Sequence, residues 1–143
     1  MYPSGIDCVW IAVDQTGMLG AFITAGEGEI SLNAIQSTII NFIELEEKIL
    51  QFPISSLAHL TTSVPYPNEF IAIAERGFFV YDWTDKNRYE LVCIPKTPLH
   101  LKQLPHQYMT YLQALKLKHS LFQSTTTINI NLEFDQVIYA SHH

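Results

Sequence analysis

Apolar and polar positions fall in short blocks along this chain, and the blocks define its expected elements. "CVWIAVD" and "MLGAFIT" are β-rich runs around the turn-like "QTG", which predicts strands over 8–13 and 18–24 joined as a hairpin. Both runs are apolar on both faces, so they are expected to lie centrally in a sheet covered by helix. Past a loop at Gly26–Gly28, Asn33 and Gln36 form a capping-box-like pair. The segment "AIQSTIINFIELEEKILQ" then places Ser37, Asn41, Glu44, Lys48 and Gln51 on one helical stripe. Ile35, Ile39, Phe42, Ile43, Ile49 and Leu50 supply the opposite, buried side of one long helix. Glu44 and Lys48 stand four apart in the favourable order.

Pro53 ends that helix. Asn68 is placed to cap a short helix over "EFIAIAER", and Gly77 to stop it. "FFVYDWTD", the turn "DKN" and "RYELVCI" read as a second hairpin. By alternation Phe79, Tyr81 and Trp83 share one face, and Phe78, Val80 and Asp82 the other. Pro95, Pro98 and Pro105 punctuate a loop, and "HQYMTYLQALKL" reads as a helix. "HSLFQSTTTINI" and "NLEFDQVIYA" look like late strands. The sum is a single α+β domain spanning 1–143, a mainly antiparallel sheet packed with two or three helices.

Composition agrees with a folded chain: 48% of residues are hydrophobic and 15% charged. No apolar run is long enough to span a bilayer. "MYPSGIDC" lacks the basic and apolar regions of a signal peptide, so the cytoplasm is the expected compartment and no membrane partner is expected. Cys8 and Cys93 sit in apolar, strand-like runs and are expected to be buried free thiols.

Charge changes the picture. From Met1 to Glu47 there are seven acidic residues and no Lys or Arg, whereas Arg76–Lys118 holds seven basic residues against three acidic ones. An acidic N-terminal half disfavours nucleic acid, which needs a basic footprint, and suits a cationic partner. A solvated acidic surface kept for solubility is the plainer alternative.

"TAGEGEISLNA" resembles a phosphate-binding loop only in its glycines. It has no lysine for a P-loop and no third glycine for a dinucleotide fingerprint. Glu27 and Glu29 would also repel a phosphate, by about 3 kcal/mol per charge pair at ~5 Å and an effective dielectric of about 20. The loop reads as an acidic turn presented to solvent, with no cofactor implied. No compact metal-ligand spacing exists, and His100, His106 and His119 are scattered. No serine or cysteine stands in a context that predicts activation, so no catalytic residue is assigned. Asp82 and Asp85 flank Trp83 as an acid–base pair, a hairpin end, or a protein-binding surface with an aromatic anchor. His142 and His143 are given no role.

Two phrases go further: "YPSGIDCVWIAVDQTGMLGAFITAGEGEI" at 2–30 and "EFIAIAERGFFVYDWTD" at 69–85. Together they resemble a family of small bacterial immunity proteins of polymorphic or contact-dependent growth inhibition toxin systems. The C-terminal third has no part in the resemblance. It implies a cytoplasmic, non-enzymatic antidote that binds a cognate toxin domain and blocks its active site, and it carries over no catalytic residue. A nuclease-type toxin would be basic, and an acidic partner can imitate the phosphate backbone. The expected toxin-binding residues are Glu27 and Glu29 in the glycine loop, then Glu44 and Glu47 on the helix, then Asp82, Trp83 and Asp85. One alternative is a small-molecule-binding domain or enzyme using Asp7, Asp14 or Asp82 in a cleft. Another is a structural subunit that pairs as a homodimer, since the sequence leaves the oligomeric state open.

Overall fold

Val9–Val13 (β1) and Leu19–Ile23 (β2) pair as an antiparallel hairpin in the computed structural model, which describes residues 2–140. His142 and His143 therefore lie outside the described residues. The turn is built by Asp14. Its Oδ1 accepts hydrogen bonds from Thr16 N (2.9 Å), Thr16 Oγ1 (2.6 Å) and Met18 N (3.1 Å), while Oδ2 accepts from Phe122 N (2.9 Å). A buried carboxylate needs such partners, and they make Asp14 a structural residue.

After β2 come Ile30–Ser31 (β3), Leu32–Gln36 (α1), a 3₁₀ turn at Phe42–Glu44 and Leu45–Leu50 (α2). The expected continuous helix is thus broken. Ser37 takes up an extended conformation and its Oγ accepts from Ile39 N, while Asn41 caps the 3₁₀ turn by accepting from Ile43 N. Short polar side chains offer the backbone these local bonds in place of helical ones. The break shifts the phase: Ile40 and Leu45 go into the core, and Ile39 and Ile43 are left 44% and 54% exposed. Asn33 does not cap α1 either; its amide donates to Ala114 O at 3.2 Å.

Ala58–Leu60 (β4) and Asn68–Ala74 (α3) follow, then the second hairpin, Phe79–Trp83 (β5) and Tyr89–Pro95 (β6). Pro67, not Asn68, occupies the N-cap of α3. His106–Leu112 (α4) is shorter than expected. The late segments hold only Thr127–Ile128 (β7) and Val137–Ile138 (β8) as strands, separated by Ile130–Glu133 (α5). Phe122 turns into the core from a 3₁₀ turn, and Asn129 caps α5 by accepting from Asn131 N. Buried Glu133 binds His119 N, Ser120 N and Ser120 Oγ, which fixes this region as loops.

The main sheet has the order β1-β2-β5-β6-β4, with β7 also on β6, and only β2–β5 is parallel. The architecture is α+β with a mainly antiparallel sheet, as the sequence predicts. β2 is central, but β1 is an edge strand. Its edge is closed near Val13 by the segment after α4, through Val13 N to Leu115 O (3.0 Å) and Leu117 N to Val13 O (2.8 Å). Cys8 and Cys93 are free and buried, in keeping with their apolar context.

One face of the sheet is aromatic. Trp10, Phe22 and Tyr81 stand in register across β1, β2 and β5, with stacked rings at 4.6 and 5.4 Å. Phe122 closes the stack against Phe22, Phe79 and Tyr81. It fits because Gly20 has no side chain; a Cβ there would come within 2.4 Å of the Phe122 ring. Urea unfolding should show Phe122→Ala costing about 3–5 kcal/mol and Gly20→Ala about 1–3. The double variant should cost less than their sum, because the methyl enters space the ring vacates; additivity would refute the packing described.

Candidate functional site

The glycine loop is tied to the core at both ends of the acidic stretch. Tyr89, buried in β6, accepts a hydrogen bond from Trp10 Nε1 (3.2 Å) and donates to the carbonyl of Glu29 (2.7 Å). Burial pushes its pKa well above the usual tyrosine range, so the hydroxyl keeps its proton and remains a donor. Tyr2 donates to the neighbouring carbonyl of Gly28. A Cβ at Gly28 would meet the Tyr89 hydroxyl at 2.6 Å, so glycine is required for this approach. Asp7 reaches the other side of the loop and accepts from Ala25 N at 2.9 Å.

This anchoring places Glu27 and Glu29 beside a cleft of ≈ 480 Å³, whose walls also include Trp83, Arg88, Asn131 and Tyr139. Three expected site residues, Glu27, Glu29 and Trp83, are therefore brought together from distant segments. Glu29 is half-buried, which raises its pKa, and the bond its carboxylate accepts from Asn131 Nδ2 works in the opposite direction. Glu27 is exposed. Arg88 donates through Nε to Glu90 Oε1 at 2.8 Å. Trp83 meets Tyr89 edge-on at 5.0 Å, and its Nε1 is buried without an acceptor.

The remaining expected residues are dispersed. Asp82 lies on β5 next to Trp83, so strand alternation turns it to the opposite face. Glu44 and Glu47 are exposed, Glu44 lying 4.0 Å from Lys48, and neither lines the cleft. Asp85 is exposed in the hairpin turn and does not act on Asp82.

Asp82 instead belongs to a second acidic group with Asp7, Glu46 and Glu69. Burial pushes Glu69 up to about 7, helped by repulsion from Glu46, Asp7 and Asp82. Burial likewise raises Asp82 to about 6, with Asp7 adding and the Trp83 backbone N–H opposing. Glu46 is raised by burial and by Asp7. Asp7 thus connects this group to the glycine loop. Among the described residues, ion pairs join only Lys48 to Glu44, Arg88 to Glu90 and Lys118 to Asp135. The carboxylates of the loop and of the second group have no cationic partner among the described residues.

Sequence reasoning missed Glu46 and Glu69 because their proximity depends on how α2 packs against α3. Asn131 and Tyr139 escaped because their segment was read as strand. Among the described residues, no group of three or more His, Cys, Asp or Glu side chains is arranged to hold a metal ion, and no helix is long and apolar enough to cross a membrane. His100 has a structural place: Nδ1 accepts from Lys102 N, which leaves Nε2 to donate to Thr16 O at 3.1 Å. Comparison with protein-family models, curated proteins and solved structures finds no match for this chain.

Two outcomes follow. Tyr89→Phe strands the Trp10 N–H and the Glu29 carbonyl, so chemical denaturation should show a loss of about 1–3 kcal/mol, with faster amide exchange in the glycine loop. Unchanged stability and exchange would refute the anchor. Glu69 holds a proton in the folded state, up to about pH 7, that the unfolded chain releases near its ordinary value of 4.5. Its contribution is therefore fully present below the unfolded value and is lost as pH rises through 7. Glu69→Gln should flatten the fall in Tm between pH 5 and 8. It should also raise Tm at pH 8 by about 3 °C, on the order of 1 kcal/mol after solvent screening.

Proposed function

We propose that this chain is a binding protein of the immunity class, which occludes a basic, nuclease-type toxin domain through its acidic face. The observation that carries the reading is a pair of acidic groups from five chain segments, Glu27 and Glu29 at the cleft and Glu46, Glu69 and Asp82 beyond it, linked through Asp7, none in an ion pair with a described lysine or arginine. Folding gathers these charges at a cost that no described lysine or arginine offsets by an ion pair. A partner carrying lysines and arginines would offset it, and the same field would speed its approach. Exposed Ile6, Ile43 and Tyr66 stand one to three positions from Asp7, Glu46 and Glu69 in the chain, and offer apolar contacts beside the charges. The resemblance in residues 2–30 and 69–85 supports the same class.

A second reading is favoured by the cleft itself. Its volume of ≈ 480 Å³ and the raised pKa of Glu29 suit a small polar ligand. Its charged and amide-rich lining supplies little of the apolar enclosure on which such sites depend, so protein binding is preferred.

The test is co-expression with the C-terminal domain of the polypeptide encoded by the adjacent reading frame. The intact chain should relieve the growth arrest caused by that domain, and Glu27→Lys with Glu29→Lys should weaken binding at least ~100-fold and flatten its salt dependence. Relief that survives the double reversal unchanged would refute the acidic face as the interface.

A further inference from the structure

We infer that the cleft beside the glycine loop is a receptor for one arginine side chain of a polypeptide partner. The inference rests on the reading of a basic protein partner and specifies how one of its residues is held. The cleft pairs two carboxylates, Glu27 and Glu29, with two aromatic residues, Trp83 and Tyr139. A guanidinium presents five donors in a plane and stacks on aromatic faces, so it uses both features together. A lysine ammonium is a compact, strongly hydrated charge that uses the rings less well.

The free bonding capacity also fits. Asn131 occupies Oε2 of Glu29, leaving Oε1 and the Glu27 carboxylate as acceptors. Arg88, the one cation in the wall, donates through Nε to Glu90. The indole Nε1 of Trp83 is a buried donor in the wall that has no acceptor. An arginine within a peptide also brings main-chain carbonyls as acceptors, whereas an isolated cation brings none. The site is rigid on one side, because the Glu29 main chain is bound by Tyr89.

The probe is a short capped Gly-Arg-Gly peptide, compared with its lysine and citrulline counterparts; citrulline keeps the shape and removes the charge. Binding is read by NMR from the Trp83 indole N–H and the Asn131 side-chain amide. The arginine peptide should shift both signals saturably in the millimolar range, with citrulline roughly tenfold weaker and lysine intermediate. Glu29→Gln leaves the Tyr89 contact in place, since that contact is to the main chain, and should remove most of the advantage of arginine over citrulline. Tyr139→Leu, at an exposed position, should weaken arginine binding while the fold is unchanged. Equal binding of arginine and citrulline, or shifts confined to the Asp7–Glu69 group, would overturn the inference. A chain that neutralises its toxin without these shifts would lose the arginine receptor and keep the proposed function. One that binds the arginine peptide but neutralises nothing would do the reverse.

Discussion

The hydroxyl of Tyr89 is the point at which the hydrophobic core and the acidic surface meet. On one side it accepts from Trp10, the first member of an aromatic stack that runs across β1, β2 and β5. On the other it holds the main chain of Glu29. A buried phenol that both accepts and donates satisfies two groups that would otherwise be costly to desolvate. Packing fixes the ring, so the loop inherits the stiffness of the sheet. Tyr2 and Asp7 hold the turn from its other sides, and Tyr89 is the contact that joins it to the aromatic core.

The acidic residues divide by what serves them. Asp14 and Glu133 are buried and satisfied by backbone N–H groups and hydroxyls, and they shape loops. The carboxylates near the loop and at the junction of α2 and α3 have fewer such partners, Asp7 accepting from Ala25 N and Asp82 from the Trp83 backbone N–H. Half-burying them is unfavourable, and their mutual repulsion adds to the upward shifts of Glu69 and Asp82. Folds keep such repulsion where a function uses it, and stability in the free state is commonly what is given up. A cationic partner uses the repulsion directly: pairing with the carboxylates lowers their energy by more than it would if they were already paired.

The hairpins were legible in the sequence because alternation and turn chemistry are local. Asp14 at the first turn and the Thr84–Arg88 connection at the second agree with the runs that flank them. The helix over 33–51 was not legible, because Ser37 and Asn41 compete for the backbone and no periodicity records that competition. The site was half legible. Glu27 and Glu29 announce themselves beside glycines, and Trp83 stands out beside acids. That they share a cleft depends on β5 lying parallel to β2, a long-range pairing. Glu46 and Glu69 meet only through helix packing, and Asn131 only through the α5 cap.

The central claim is that folding half-buries like charges beside one another with no described lysine or arginine in an ion pair with them. Carboxyl-carbon NMR titration of the free protein tests it most directly. The account requires Glu69 to titrate near 7 and Asp82 near 6, with high salt drawing both downward. Ordinary carboxylate titration at both positions would contradict it.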